Sequence, residues 1–170
     1  DTTIGTHNSQ YLHELSSAET WLFLNYRVSG FNFSVRYDLF NNSQLLDPNE
    51  VYTDQGLAFY SVNKKIGDLD ITAGHFYDQI GTGIIFRAFE DRTLGLDYAV
   101  NGLRLKYDLG KSTRLKAFVG RQKNRFKLHA QSIKGFNVEQ DWDIKDKLWF
   151  YSGAGMVNRT VDQSTMDLLA

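Results

Sequence analysis

Residues 31–39 alternate without exception: Phe31, Phe33, Val35, Tyr37 and Leu39 are apolar, while Asn32, Ser34, Arg36 and Asp38 are polar. Successive side chains of a strand point to opposite faces, so this period of two predicts a β-strand with one apolar and one polar face. Just upstream, Leu22, Leu24, Tyr26 and Val28 alternate with Trp21, Phe23, Asn25 and Arg27, and only Ser29-Gly30 separates the two runs. A two-residue hairpin turn places Val28 opposite Phe31 and puts both apolar sets on one face.

Three further pairs of runs follow. Residues 57–65 and 69–77 flank Ile66-Gly67-Asp68, with the turn length, and hence the face taken by Leu57 and Phe59, left open. Residues 101–108 and 113–122 meet through Gly110-Lys111-Ser112, which pairs Tyr107 with Leu115 and Asp108 with Arg114. Residues 133–142 and 148–158 flank the segment 143–147. Eight strands result, each near the roughly 9 to 11 residues that a tilted strand needs to cross a bilayer.

Tight turns near Gly30, Gly67, Lys111 and Lys145 alternate strictly with longer polar stretches at about 41–55, 78–98 and 123–131. Outer-membrane barrels have this rhythm, with short periplasmic turns and longer external loops, whereas soluble sandwiches mix lengths and include long crossings. The expected fold is therefore all-β, an antiparallel up-and-down transmembrane β-barrel. If the Ser29-Gly30 turn is periplasmic, both chain ends fall on the loop side, and the tail Met166-Asp167-Leu168-Leu169-Ala170 lacks a terminal aromatic. That arrangement reads as a fragment of a larger barrel. The whole chain, 1–170, is expected to be one barrel segment: 1–19 a loop or incomplete element, 20–158 the hairpins, and 159–170 a loop or truncated end.

Composition narrows the picture. Aromatics make up 14% of the chain, there is a single proline, and no cysteine is present, which removes disulfides, thiolate chemistry and zinc-thiolate sites. A net charge of -1 and the lack of any long like-charge block give nucleic acid nothing to bind. No apolar run is long enough for a transmembrane helix, and residues 1–10 carry neither a basic nor an apolar signal region. The mean hydropathy of -0.40 is compatible with a barrel, whose strands show lipid only every second residue.

With the apolar set toward lipid, the lumen receives Arg27, Arg36, Asp38, Asp70, Arg104, Lys106, Asp108, Arg114, Lys116 and Glu139. Cross-strand ion pairing accounts for such a set; a selectivity filter is the functional alternative, with Arg36, Arg104 and Lys106 the residues to test. Tyr26, Tyr37, Tyr77, Tyr107, Trp142 and Trp149 fall near strand ends, as rings at a membrane boundary do, although the rim of a soluble core would look the same. The stretch 78–92 mixes two glycines, an apolar run and the charges Arg87, Glu90, Asp91 and Arg92. It is expected either to fold into the lumen as a constriction or to form a surface loop with its own small apolar cluster.

Enzyme signatures do not assemble. Gly81-Thr82-Gly83 lacks the lysine and helix of a phosphate loop, and His7, His13, His75 and His129 lack metal-ligand spacing. No catalytic, cofactor or metal residues are assigned, and no enzymatic activity is expected.

The stretch from Gly74-His75-Phe76-Tyr77-Asp78 through Gly81-Thr82-Gly83-Ile84-Ile85-Phe86-Arg87-Ala88-Phe89-Glu90-Asp91-Arg92 to Gly95-Leu96-Asp97, followed by Val100-Asn101-Gly102-Leu103-Arg104, resembles a family of uncharacterised outer-membrane barrel proteins from Bacteroidota. The resemblance implies location in a bacterial outer membrane rather than a reaction. Implied partners are the lipid bilayer and lipopolysaccharide, and another outer-membrane barrel or a surface lipoprotein. Two functions follow as expectations: a channel narrowed by the 81–92 loop, or an accessory component of an envelope complex. A soluble β-sandwich or carbohydrate-binding module, with Trp21 and Trp149 stacking on sugar, is the alternative.

Overall fold

The computed structural model describes residues 16–47, 50–144 and 147–161. Among them, the long strands are β1 (Ala18–Val28), β2 (Phe31–Asp47), β3 (Glu50–Ile66), β4 (Leu69–Phe76), β9 (Val100–Leu109), β10 (Thr113–Asn124), β11 (Lys127–Ile144) and β12 (Leu148–Thr160). Four two-residue strands lie between β4 and β9: β5 (Asp78–Gln79), β6 (Arg87–Ala88), β7 (Glu90–Asp91) and β8 (Leu96–Asp97). The eight long strands form one antiparallel sheet in strictly sequential order, β1-β2-β3-β4-β9-β10-β11-β12. Among the described residues nothing pairs with the outer edge of β1 or of β12, so the sheet is open. Among the described residues no helix is long and apolar enough to cross a membrane, which says nothing about crossing by strands.

The turn chemistry sets the register. Ser29 and Gly30 both have positive φ, +48° and +76°, as a two-residue turn matching strand twist requires, and Val28 pairs with Phe31. Gly67-Asp68 forms the second tight turn, with Ile66 opposite Leu69. Tyr107 pairs with Leu115 and Asp108 with Arg114, as the three-residue connection demands. Ile144 pairs with Leu148 in the last hairpin; the expected turn position Lys145 lies outside the described residues.

Two of the three expected long loops are strand instead. Residues 41–47 and 50–55 continue the β2–β3 ladder through register shifts around Phe40, Ser43 and Asp47, positions 48 and 49 lying outside the described residues, and the 123–131 stretch closes tightly at Arg125-Phe126 between Asn124 and Lys127. The apolar alternation ends before the strands do. Antiparallel pairing is carried by the backbone, so a hairpin that is polar on both faces still ladders, while its sequence looks like loop. A bulge between Arg36 and Tyr37 settles the ambiguity in β3: Phe59 pairs with Arg36 on the polar face, and Leu57 with Tyr37 on the apolar one.

One sheet face is apolar across all eight strands. It carries Leu24, Val35 and Tyr60 in one row and Leu105, Phe136 and Met156 in another, all substantially exposed, together with their neighbours on each strand. Further along the strands this face turns polar, at Gln55, Asn101, Arg121, Lys134 and Asn158. The opposite face holds the charged positions, and the core sits there. Phe76, Ile80, Phe86, Ala88, Val100, Phe118 and Ile133 form a buried cluster between the sheet and the 77–99 excursion.

Candidate functional site: a charged face packed by residues 77–99

The excursion leaves β4 at Phe76 and rejoins β9 at Val100, folding back as two small hairpins, β5–β6 and β7–β8. The first closes through Ile80 N–H to Phe86 O at 3.1 Å and Gly83 N–H to Ile80 O at 2.9 Å. The second is capped by Asp91, whose carboxylate accepts from the Thr93 hydroxyl at 2.6 Å and from the Thr93 and Leu94 amides. Asp97 and Ala99 carry the line of β9 onward along β10, their carbonyls accepting from Arg125 N–H and Lys123 N–H.

Missing side chains on the sheet make room for the first hairpin. A Cβ at Gly135 would stand 2.4 Å from the Phe118 ring, and one at Gly155 would stand 2.3 Å from Ile80. Gly102 and Gly120 pair directly, and a Cβ on Gly102 would meet the Val119 carbonyl at 2.0 Å. Phe86 then packs on Phe118 at 5.0 Å between ring centroids. Glycine in a strand interior costs conformational entropy, and here that cost accompanies close approach of a second layer at Gly135 and Gly155 and of the neighbouring strand at Gly102 and Gly120.

Asp78 anchors this hairpin electrostatically. Its buried carboxylate contacts Lys116 at 2.5 Å, Arg104 at 3.1 Å and Lys106 at 3.2 Å. Arg104 also donates to the Thr72 hydroxyl and to the Tyr77 carbonyl, while Lys116 reaches the Gln79 carbonyl. Burial by itself would raise the Asp78 carboxyl, but the Lys116 hydrogen bond and the lysine charges outweigh it and hold the group below the ordinary carboxylate range.

The second hairpin closes a cluster of three cations and three carboxylates. Arg36 on β2 contacts Glu90 at 2.8 Å, Asp97 at 3.2 Å and Asp38 at 3.2 Å, the last an ion pair bent out of hydrogen-bond geometry. Arg92 meets Glu90 and Asp38 at 3.3 and 3.6 Å, and the buried Lys123 ammonium meets Asp97 at 2.6 Å. Lys123 also donates to the Ala58 carbonyl of β3, bridging to β10 at the level where β4 has turned away. The Tyr77 hydroxyl donates to Asp97 and Glu90; burial and these two carboxylates push its phenol well above the ordinary value, so it stays protonated.

Among the candidates named from sequence, Arg36, Glu90 and Arg92 belong to this six-charge cluster, and Arg104 and Lys106 belong to the Asp78 group. Arg87 is exposed and lies over the Phe89 ring at 5.1 Å. Asp91 holds a turn and joins neither group. Asp108 and Arg114 are register partners, yet their ion pairs run elsewhere: Asp108 to Lys65, and Arg114 to Glu139 and Asp141. Sequence reasoning missed Asp78, Asp97, Tyr77 and Lys123 as site members. Alternation fails after Gln122, which hides Lys123 in what reads as a loop; its neighbour Arg121 on the same run was the one visible hint of a basic strand end. Among the described residues no group of histidines and carboxylates is arranged to hold a metal ion.

Fold and site together define an all-β protein whose eight-stranded antiparallel sheet is, among the described residues, apolar and uncovered on one face, and charged and packed by its own excursion on the other. The chain belongs to a family of unknown function, DUF6029, whose model matches residues 1–169. No curated protein and no solved structure matches it.

Proposed function

We propose that this sheet is part of the wall of an outer-membrane β-barrel, with its apolar face toward lipid and the 77–99 excursion folded inward as a plug. The observation that carries this reading is the opposition of the two faces. A water-soluble sandwich would bury the apolar face under a second layer, whereas here the excursion layer covers the charged face. On β2 the apolar alternation runs from Phe31 to Leu39, about 26 Å along the strand at roughly 3.3 Å per residue. At a tilt of ~40° that is about 20 Å of height, near the ~25 Å band of outer-membrane barrels.

The plug favours an accessory or gated role over an open pore, because the charges that would line a channel are spent on Asp78, Glu90 and Asp97. Carbonate extraction of cell membranes tests the location: release of the protein into the aqueous fraction refutes it. Planar-bilayer recording of the full-length protein tests the plug. Little conductance is expected from the wild type and a stable increase on replacing 79–98 with a short glycine-serine linker; large steady conductance from the wild type refutes occlusion.

A further inference from the structure

The sheet gathers more positive charge around Asp78 than one carboxylate matches. Lys106 and Lys116 are direct register partners on β9 and β10, and Arg104 stands two residues from Lys106 on the same inner face. Like charges directly opposite one another destabilise a sheet, so folding alone gives no reason for this trio. All three cations converge on Asp78, three positive charges to one negative. The other carboxylates of this region are engaged elsewhere: Asp70, the register partner of Lys106, accepts from Asn63 and Thr72, Asp108 pairs with Lys65, and Glu139 pairs with Arg114. The buried Nε–H of Arg104 has no acceptor among the described residues.

Asp78 comes to the trio from the excursion rather than from the sheet. If the first hairpin swings away, the carboxylate leaves with it, while Arg104, Lys106 and Lys116 stay on two paired strands. What remains is a planar guanidinium and two ammoniums that had converged within 3.2 Å of one carboxylate, a donor set suited to an oxyanion. A carboxylate brings one charge and two oxygens. A phosphate monoester near pH 7 brings about -1.5 to -2 and three oxygens, and answers the surplus more fully. Lys106 is the most exposed of the three, so a solute meets the site there first.

Resting on the membrane-barrel reading for its gating role, we propose that Arg104, Lys106 and Lys116 form a binding site for a soluble dianionic oxyanion of the phosphate class. Asp78 occupies the site as a built-in competitor, so that ligand binding releases the first hairpin. The ligand binds only the released form, and that difference in affinity is what shifts the equilibrium. Ala88→Cys, a sole thiol buried in the first hairpin, tests this in the full chain when labelling is titrated with inorganic phosphate against sodium chloride of matched ionic strength. Phosphate is expected to accelerate labelling saturably, by about 5- to 150-fold, and chloride is not. Lys106→Met, which leaves Asp78 two of its cations, should shrink the phosphate response. Asp78→Asn should label fast without phosphate and bind phosphate about tenfold more tightly or better in calorimetry, because the competitor is gone. Equal acceleration by chloride, no acceleration, a full response in Lys106→Met, or unchanged affinity in Asp78→Asn each overturns the proposal. So does acceleration in phosphatidic-acid vesicles with none from free phosphate. Carbonate extraction of the same sample judges the membrane location separately: phosphate-dependent labelling of a protein released to the aqueous fraction keeps the anion site and refutes only the barrel.

Discussion

Replacing Asp78 by Asn should loosen the excursion while leaving the sheet folded. The carboxylate is shared by Lys116, Arg104 and Lys106 at 2.5 to 3.2 Å. Removing one partner of a buried ion pair costs about 3–5 kcal/mol. Here Lys106 is 40% exposed and recovers hydration, and Arg104 keeps Thr72 and the Tyr77 carbonyl, so about 2–3 kcal/mol is the expected loss. The chain has no cysteine, so Ala88→Cys supplies a sole thiol at a buried position within the excursion's first hairpin. Its labelling rate reports opening of the excursion. The expected acceleration in the Asp78→Asn background is about 30- to 150-fold at 1.4 kcal/mol per decade. A second substitution, Lys116→Met, should recover part of it by removing the stranded ammonium. If Asp78→Asn leaves the labelling rate of the introduced thiol unchanged within about a factor of two, less than the 1.4 kcal/mol of a single decade, Asp78 is not an anchor.

The same thiol gives the pH dependence. A depressed carboxyl stabilises the folded state fully above its unfolded pKa, about 3.9, and loses that contribution as pH falls through the lower folded value, so labelling at position 88 should speed up below about pH 4, and Asp78→Asn should abolish that component. Gly120→Ala places a methyl 2.5 Å from the Asn101 carbonyl and 2.6 Å from Val100, and should lower stability by about 1–3 kcal/mol, read as a reduced urea midpoint of the folded form; an unchanged midpoint refutes the close approach of β9 and β10 there. Val35→Arg, on the apolar face at 40% exposure, should cost about 2–4 kcal/mol and block folding into lipid vesicles if that face meets hydrocarbon, whereas a water-exposed surface would accept it with normal folding.

The central hairpins were legible because side-chain alternation and turn chemistry agreed: Ser29-Gly30 and Gly110-Lys111-Ser112 both fixed registers that the sheet adopts. Legibility ended where alternation ended. Residues 41–47 and 123–131 ladder through backbone bonds that leave no mark on hydropathy. The site was half readable. Arg36, Arg104 and Lys106 stood out as charges on a strand face, but their partners Asp78, Glu90 and Asp97 come from a segment whose conformation no periodicity describes. Only its two outcomes, inward or outward, were open to sequence reasoning. The glycines that make room for the first hairpin, Gly135 and Gly155, looked like ordinary interruptions in strands.

Those glycines also divide the excursion into two parts of different character. The 78–88 hairpin rests on apolar contacts with Phe118 and Ile133 over a floor without side chains, and withdrawing it would leave a void that neither water nor a rearranged side chain fills well. The 90–97 hairpin is held mainly by the charges of Arg36, Arg92 and Lys123; of its two leucines, Leu94 is exposed and Leu96 half-buried. Arg92 is nearly half exposed and exchanges its ion pairs for hydration at low net cost, whereas Arg36, Lys123 and Asp97 are buried and stranding any one of them is costly. Loosening of the excursion therefore starts at the Arg92 contacts, while the buried pairs of Asp97 with Arg36 and Lys123 hold the rest of 90–97 in place. The 78–88 hairpin follows only once Asp78 lets go of its three cations.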